Sequence, residues 1–414
     1  MTPAQFALSL ALGRQPRTTP QAQKIQHVVI IVQENRSFDD LFQGYPGADT
    51  VSQGLNSLGQ TVPLQPVSLA ADYDIEHLAR DMFAACDGTG SLPGTDCRMD
   101  AFDQEYLVGK GPANPEYGYV PPKESKPYFD IAHQYVVGDR MFASHVDASF
   151  VSHQYIVAGQ ANGGVDLPSA QWACGGGKND RENTLTAQRT YGSPQPTCRN
   201  YRTLADELDA AAIPWRYYAN TTSDSLLAYG AVKHIRYGPD WAADVVAPSQ
   251  QFITDVGNGY LAGVTWITPS CYNSDHAGCL GKGGPAWVTS LVNAVGESQF
   301  WNTTAIFVMW DEWGGWYDHV APPTLDYDGL GFRVPLVVVS PYAKKNYVSH
   351  VQYEHGSILR FAEDTFGLAQ LAASDARATS PAADCFDFSK GPRAFKPFAA
   401  RPFARNDPRP VDRD

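Results

Sequence analysis

The sequence predicts an α/β protein in three layers, a mainly parallel central sheet covered by helices on both faces. Three observations predict it: short continuous runs of β-branched and apolar residues, helical patterns lying between those runs, and a chain able to bury a large core. Of its 414 residues 43% are hydrophobic, and large α/β enzymes often remain a single domain at such lengths.

Residues 1–24 carry Pro, Thr, Gln and Arg with little periodicity and read as a flexible lead-in. The apolar stretch at 6–12 is short, and basic residues follow it rather than precede it, so it is not an intact signal peptide. Residues 27–32 form a continuous β-branched run, as expected of a strand buried on both faces. Asp39, Asp40 and the Gly/Pro cluster at 44–47 then mark a loop. Similar runs recur at 263–267, 305–309 and 334–339, with helical candidates at 201–212 and 287–295. Strands separated by helices imply a mainly parallel sheet. Residues 25–405 therefore read as one domain. Its segment from about 160 to 200, rich in Gly, Asn, Gln and Pro, is a surface excursion, a rim or lid near the site. Residues 406–414 read as a frayed tail.

The formal charge of −13 argues against nucleic acid or an anionic membrane as the main partner, since both select basic surfaces. A small anionic substrate remains compatible, because a bound cation inverts the local field. No apolar stretch approaches the ~20 residues that span a bilayer, so no stable membrane insertion is expected. Six of the seven cysteines form sequence-local pairs, Cys86 with Cys97, Cys174 with Cys198 and Cys271 with Cys279, leaving Cys385 over. No Cys-x-x-Cys unit occurs, so cystine-closed loops in an oxidising compartment, periplasmic or secreted, explain the pattern better than a zinc ribbon.

Two of the apolar runs end in oxygen ligands: Glu34 and Asn35 after the first, Asp311 and Glu312 after the third. In open parallel sheets ligands gather at the carboxyl ends of strands. Three carboxylates brought together without a counter-charge repel, and a divalent cation needs such oxygens. Either pair alone is equally well read as a helix or turn cap; the two together favour a metal site. Gly314 and Gly315 permit a sharp turn and close approach to a bound group. Asp318 and His319 are candidates to orient ligands, or an ordinary loop pair.

Gln33-Glu34-Asn35-Arg36-Ser37-Phe38-Asp39, Trp310-Asp311-Glu312-Trp313-Gly314-Gly315 and Asp318-His319-Val320-Ala321-Pro322-Pro323 resemble signatures of the phosphoesterase family that contains bacterial acid phosphatases and phosphatidylcholine-preferring phospholipases C. Arg333-Val334-Pro335, Ser340-Pro341 and Tyr353-Glu354-His355 extend the resemblance, which covers residues 26 to 368. It implies an alkaline-phosphatase-like fold. It also implies that Ser149, in Ala148-Ser149-Phe150-Val151-Ser152-His153, is a nucleophile that shares the metal with Glu34, Asn35, Asp311 and Glu312. Ser152 departs from the family, which often has Asn there. His77, in Asp74-Ile75-Glu76-His77, and His276 with Asp275 resemble the family's remaining active-site stretches. They are expected to stabilise phosphoryl oxygens or assist the leaving group.

The expected cofactor is one divalent ion. An all-oxygen shell suits Ca²⁺, Mg²⁺ or Mn²⁺, and a histidine entering it shifts the choice to Zn²⁺ or Fe. The expected substrate is a small phosphate ester. The serine motif resembles that of broad acid phosphatases working through a phosphoseryl intermediate. The alternative is a phospholipase C acting on phosphocholine-type diesters, whose headgroup would then be the ligand. A non-catalytic binding protein on the same fold is opposed by the intact acidic pairs and Ser149.

Overall fold

The computed structural model describes residues 19–405, except 147, 170 and 171, together with 407 and 409. Among these residues the core is a nine-stranded sheet. Its strands in chain order are β1 (His27–Gln33), β2 (Val136–Phe142), β3 (Trp215–Tyr218), β4 (Val245–Val246), β5 (Val264–Ile267), β6 (Thr304–Trp310), β7 (Arg333–Val339), β8 (Tyr347–Ser349) and β9 (Tyr353–Glu354). Across the sheet the order is β4-β3-β5-β1-β6-β7-β2-β8, with β9 also on β2. β1 pairs parallel to β5 and β6. Only β7 opposes the rest, antiparallel to both β6 and β2.

The helices that matter for the site are α1 (Pro20–Lys24), α2 (Phe38–Phe42), α3 (Pro122–Gln134), α4 (Ser149–Ala158), α5 (Gly284–Gly296) and α6 (His355–Phe366). On β6, Phe307 meets Phe361 of α6 at 4.8 Å between ring centroids, while Trp310 meets Tyr128 of α3 at 5.1 Å. Side chains alternate along a strand, so residues an odd number apart point to opposite faces. The sheet is therefore covered on both sides, with α1 and α4 packed beside α6 and α5 beside α3. β6 is accordingly buried at every position, and each large apolar side chain placed there contributes about 1.5–3 kcal/mol. The expected three-layer α/β architecture is what the chain forms.

Several local expectations need correction. Residues 334–339 form a strand, but an antiparallel one. The connection from β6 to β7 contains no α-helix, and a parallel neighbour needs a long crossover. Asp39 and Asp40 lie in α2 rather than in a loop, because Ser37 Oγ caps that helix by accepting the Asp40 N–H at 3.1 Å. The helix expected over 201–212 is confined to Leu204–Ala210. Asp206 accepts the Thr203 N–H at 2.7 Å to open it, and Ala212 adopts a left-handed φ of 54° just beyond it. The lead-in becomes ordered before residue 24: α1 is capped by Thr19, and Gln21 Nε2 donates to the Phe361 carbonyl of α6 at 2.8 Å. Residues 1–18 of that expectation lie outside the described residues. Within the expected frayed tail, the described Asp407 accepts the Tyr272 N–H at 2.7 Å.

All three expected disulfides are formed and Cys385 is a buried free thiol. The excursion near 160–200 carries a small three-stranded sheet and the Cys174–Cys198 bridge. No helix among the described residues is long and apolar enough to cross a membrane. Because β1, β2, β5 and β6 run the same way, the segments leaving their carboxyl ends converge at one edge of the sheet.

Candidate active site

The two acidic pairs meet there. The Asn35 N–H donates to Asp311 Oδ1 at 3.1 Å, and the Glu312 N–H donates to the same oxygen at 2.9 Å. Asn35 adopts a left-handed φ of 55°, a conformation that Asn tolerates better than most residues. Gly314, at φ 65°, makes this crossing possible: a Cβ there would lie 2.4 Å from the Asn35 carbonyl oxygen. A Cβ on Gly315 would strike Ile75 at 2.4 Å. The two glycines thus admit neighbouring chain, where the sequence pointed to a bound group.

Ser149 is the first residue of α4, and its Oγ donates to Asn35 Oδ1 at 3.4 Å. The orientation of that amide is fixed from the other side. His77 Nδ1–H donates to the Ile75 carbonyl at 2.6 Å, which leaves Nε2 of the neutral ring as an acceptor for Asn35 Nδ2–H at 3.0 Å. The amide oxygen is therefore the atom turned toward Ser149.

His153 follows Ser149 by one helical turn and completes the acidic group. Its Nε2 lies 3.1 Å from Glu34 Oε1 and 3.6 Å from Asp311 Oδ2. Burial disfavours the imidazolium, but the Glu34 charge and bonds to Asp311 and Glu34 outweigh it and lift its pKa to about 10. Burial, reinforced by the Asp311 charge, pushes Glu34 up to about 8, whereas the bonds from His153 and the Asn35 N–H hold Asp311 below the usual carboxylate range despite burial. Sequence reasoning gave His153 no role. The available signal was its i, i+4 spacing from Ser149, which puts both on one face once the segment is known to be helical.

Glu312 turns to a different partner. Its Oε2 accepts the Gly314 N–H at 2.7 Å, while Oε1 lies 3.4 Å from His77 Nε2. His276 stands edge-on to His77 with ring centroids 6.0 Å apart, and Asp74 lies 3.9 Å from its Nδ1. Asp275 neighbours the group without facing it. Its Oδ2 accepts Tyr128 O–H at 2.7 Å and Trp310 Nε1–H at 3.2 Å, and its carbonyl accepts Arg36 Nε–H at 2.8 Å. Burial raises the Asp275 carboxyl to about 7.

Asp318 and His319 belong to a separate buried network. Arg333 Nε donates to Asp318 Oδ1 at 3.0 Å, and its Nη2 lies 3.3 Å from Asp39 Oδ1. His319 Nδ1 meets Asp39 Oδ2 at 2.6 Å. Asp39, Asp318 and His319 are close enough together to hold an ion, but the guanidinium already supplies the positive charge. This network anchors α2 directly behind Glu34 and Asn35.

A cation fits the Glu34 group. Glu34, His153 and Asp311 each bring one ligand atom within 4.8 Å of the others. Glu34 Oε2 is buried with no hydrogen-bond partner among the described residues, and Asp311 Oδ2 and Glu312 Oε1 are buried with only imidazole nitrogens at 3.6 and 3.4 Å, too long for a good hydrogen bond. Such oxygens are costly unless a counter-charge meets them. A mixed set of carboxylates and one imidazole suits a divalent transition ion.

A profile of the Phosphoesterase family matches residues 25–369. Phospholipase C B of Mycobacterium tuberculosis is 24% identical, over 90% of this chain and 80% of that protein. The non-hemolytic phospholipase C of Pseudomonas aeruginosa is 26% identical, over 89% of this chain and 57% of its own length. Among solved structures, a Vibrio parahaemolyticus protein of the alkaline phosphatase superfamily aligns over 92% of this chain and 80% of its own, at 9% identity and a TM-score of 0.42. The profile spans most of the sequence, including every residue of the site just described, and the chain belongs to the Phosphoesterase family, a family of phosphoric ester hydrolases.

Proposed function

We propose that this phosphoric ester hydrolase acts on phosphomonoesters, in the manner of a broad acid phosphatase, with Ser149 Oγ as the attacking atom and a phosphoseryl intermediate. One relationship carries the reading: Ser149 opens α4 with its hydroxyl on Asn35, whose N–H is bonded to the Asp311 carboxylate of the metal-fitting group.

The chemistry follows from these positions. A helix N-terminus favours an anion, so phosphoryl oxygens placed at Ser149 meet the positive end of α4. Asn35, clamped by His77, accepts the hydroxyl hydrogen and keeps Oγ aimed. His77, with both ring nitrogens engaged by Ile75 and Asn35, acts through Asn35, while His276, when protonated, offers a donor to a phosphoryl or leaving oxygen, and water then hydrolyses the seryl ester. Asp275 acts as a positioning residue, tying Arg36, Tyr128 and Trp310 together. Held by Glu34, Asp311 and His153, with Asn35, Glu312 and Ser149 around it, a divalent cation would neutralise phosphoryl charge and lower the serine hydroxyl's pKa. The imidazole in that set favours Zn²⁺ or Fe over Ca²⁺, Mg²⁺ and Mn²⁺. The three disulfides support an exported protein, periplasmic or secreted.

Hydrolysis of p-nitrophenyl phosphate by Ser149→Ala tests the assignment. The variant is expected to lose at least about a thousandfold in kcat while still binding inorganic phosphate, and acid quenching of the parent enzyme should trap a phosphoserine at 149. Near-normal turnover by the variant would refute it. A second reading, phospholipase C action on phosphodiesters, is supported by the names of the two relatives above. A strong preference for p-nitrophenyl phosphorylcholine over p-nitrophenyl phosphate would establish it instead.

A further inference from the structure

A recess of about 250 Å³ opens beside Trp172, lined by Trp172, Ser223, Asp224, Ser225, Arg236 and Trp241 among others. Its wall is tied to the site twice. The Trp172 ring meets Phe150, the residue after Ser149, edge-on at 5.6 Å. Trp172 also packs against the cluster of Leu226, Cys271 and Cys279, whose disulfide closes the loop carrying His276.

The polar groups of this recess are incompletely used. Asp224 is only 7% exposed, and its Oδ1 accepts the Leu226 N–H at 3.1 Å. Its Oδ2 and the Ser225 Oγ are buried with no hydrogen-bond partner among the described residues. A carboxylate oxygen left in that state is destabilising, which marks a place for a donor from outside the chain. Arg236 lays its guanidinium on the Trp241 ring at 4.3 Å and makes no ion pair with a described residue.

These features discriminate between ligands. A quaternary ammonium seeks bare aromatic faces, but a guanidinium already covers Trp241 and repels a second cation. An acyl chain would leave Asp224 and Ser225 unpaired. A neutral polyhydroxylated ring meets every feature: its hydroxyls donate to Asp224, accept from Arg236 and do either with the serines, while its C–H face lies against indole. We propose that this recess is a subsite for a polyhydroxylated alcohol, the sugar- or cyclitol-type portion of a phosphate ester whose phosphoryl group sits at Ser149. The proposal rests on the phosphomonoesterase reading.

The test compares kcat/KM for glucose 6-phosphate, O-phosphoserine, phosphorylcholine and p-nitrophenyl phosphate in the parent enzyme, Asp224→Asn and Trp172→Ala. The parent is expected to favour the sugar phosphate over phosphoserine and phosphorylcholine by tenfold or more. A hydrogen bond to a charged group corresponds to roughly 10–100-fold, so Asp224→Asn should lower the ratio of sugar phosphate to p-nitrophenyl phosphate by about that much, mainly through KM. Trp172→Ala, on another wall, should move the same ratio in the same direction. Because the readout is a ratio within each variant, loss of folded protein does not mimic it. A ratio unchanged in both variants, or a parent preference for phosphorylcholine or phosphoserine, would overturn the subsite and leave the phosphomonoesterase standing. Failure of the parent to hydrolyse any of the four esters would overturn both.

Discussion

Ser149 and His153 lie one turn apart on the same face of α4, so the hydroxyl meets Asn35 at 3.4 Å while the imidazole meets Glu34 at 3.1 Å. A single helix thereby delivers the proposed nucleophile and one metal-fitting nitrogen to segments leaving two adjacent strands, β1 and β6. Their relative placement depends only on helical geometry, the most rigid spacing a chain provides.

His153→Ala therefore separates the two roles. Changing groups that merely orient metal ligands costs about 10–100-fold in affinity, and loss of a direct ligand should cost at least as much. The variant is expected to require correspondingly more divalent ion for half-maximal hydrolysis, and the parent enzyme should lose activity on dialysis against a chelator and regain it with added ion. An unaltered metal titration in His153→Ala would remove that residue from the site.

Gly314→Ala tests whether the crossing of the two acidic segments is required. The new Cβ would combine a left-handed φ of 65° with a 2.4 Å approach to the Asn35 carbonyl. Gly59 provides a control, with φ 70° and nothing within 4 Å. Backbone strain of this kind costs about 1–3 kcal/mol, so both substitutions should lower the urea midpoint. Only Gly314→Ala should also lower kcat at temperatures where the protein is fully folded. Equal activities in the two variants would show that Asn35 tolerates displacement.

What the sequence disclosed, and what it hid, follows from how each residue is stabilised. β1 and β6 were legible because burial on both faces demands an unbroken apolar run. β2 was not: Gly138, Asp139 and Arg140 interrupt it. Asp139 is nonetheless fully buried, accepting the Asp49 N–H at 2.8 Å and bonding His350 at 2.9 Å, contacts invisible in a linear pattern. Glu34, Asn35 and Ser149 stood out through motif and strand end. The turn of Glu312 toward His77, and of Asp275 toward Tyr128 and Trp310, depends on residues tens to hundreds of positions away. The reversal of β7 was likewise hidden, since an apolar run carries no direction.

Arg333→Met should be among the most destabilising single changes in the chain. The guanidinium serves Asp318 and Asp39 and also donates to the Asp49 and Asp139 carbonyls at 2.9 Å each. Removing one partner of a buried pair costs about 3–5 kcal/mol, because the remaining charge has nowhere to go. Burial already places the Asp318 carboxyl at about 6 against the pull of Arg333, so its loss should raise that value further. The double variant Arg333→Met with Asp318→Asn is expected to recover part of the stability. If the single variant melts with the parent, the network is dispensable.

Glu363 offers a test of electrostatics away from the site. It is 2% exposed on α6, and burial, with the nearby Asp375 charge, raises its carboxyl from 4.5 to about 9. The sign follows from proton counting. Between pH 4.5 and 9 the folded chain keeps a proton that the unfolded chain has released, so unfolding liberates a proton and stability falls as pH rises through that window. Below it both states are protonated and the contribution is complete. Glu363→Gln keeps the shape and a donor toward Asp375 while removing the ionisation. Its urea midpoint should match the parent near pH 4 and exceed it by a growing margin at pH 7 and 9. Parallel pH profiles for the two proteins would mean that Glu363 ionises in the folded state as readily as in the unfolded one, and that water reaches the packed face between α6 and the Ala373–Arg377 helix.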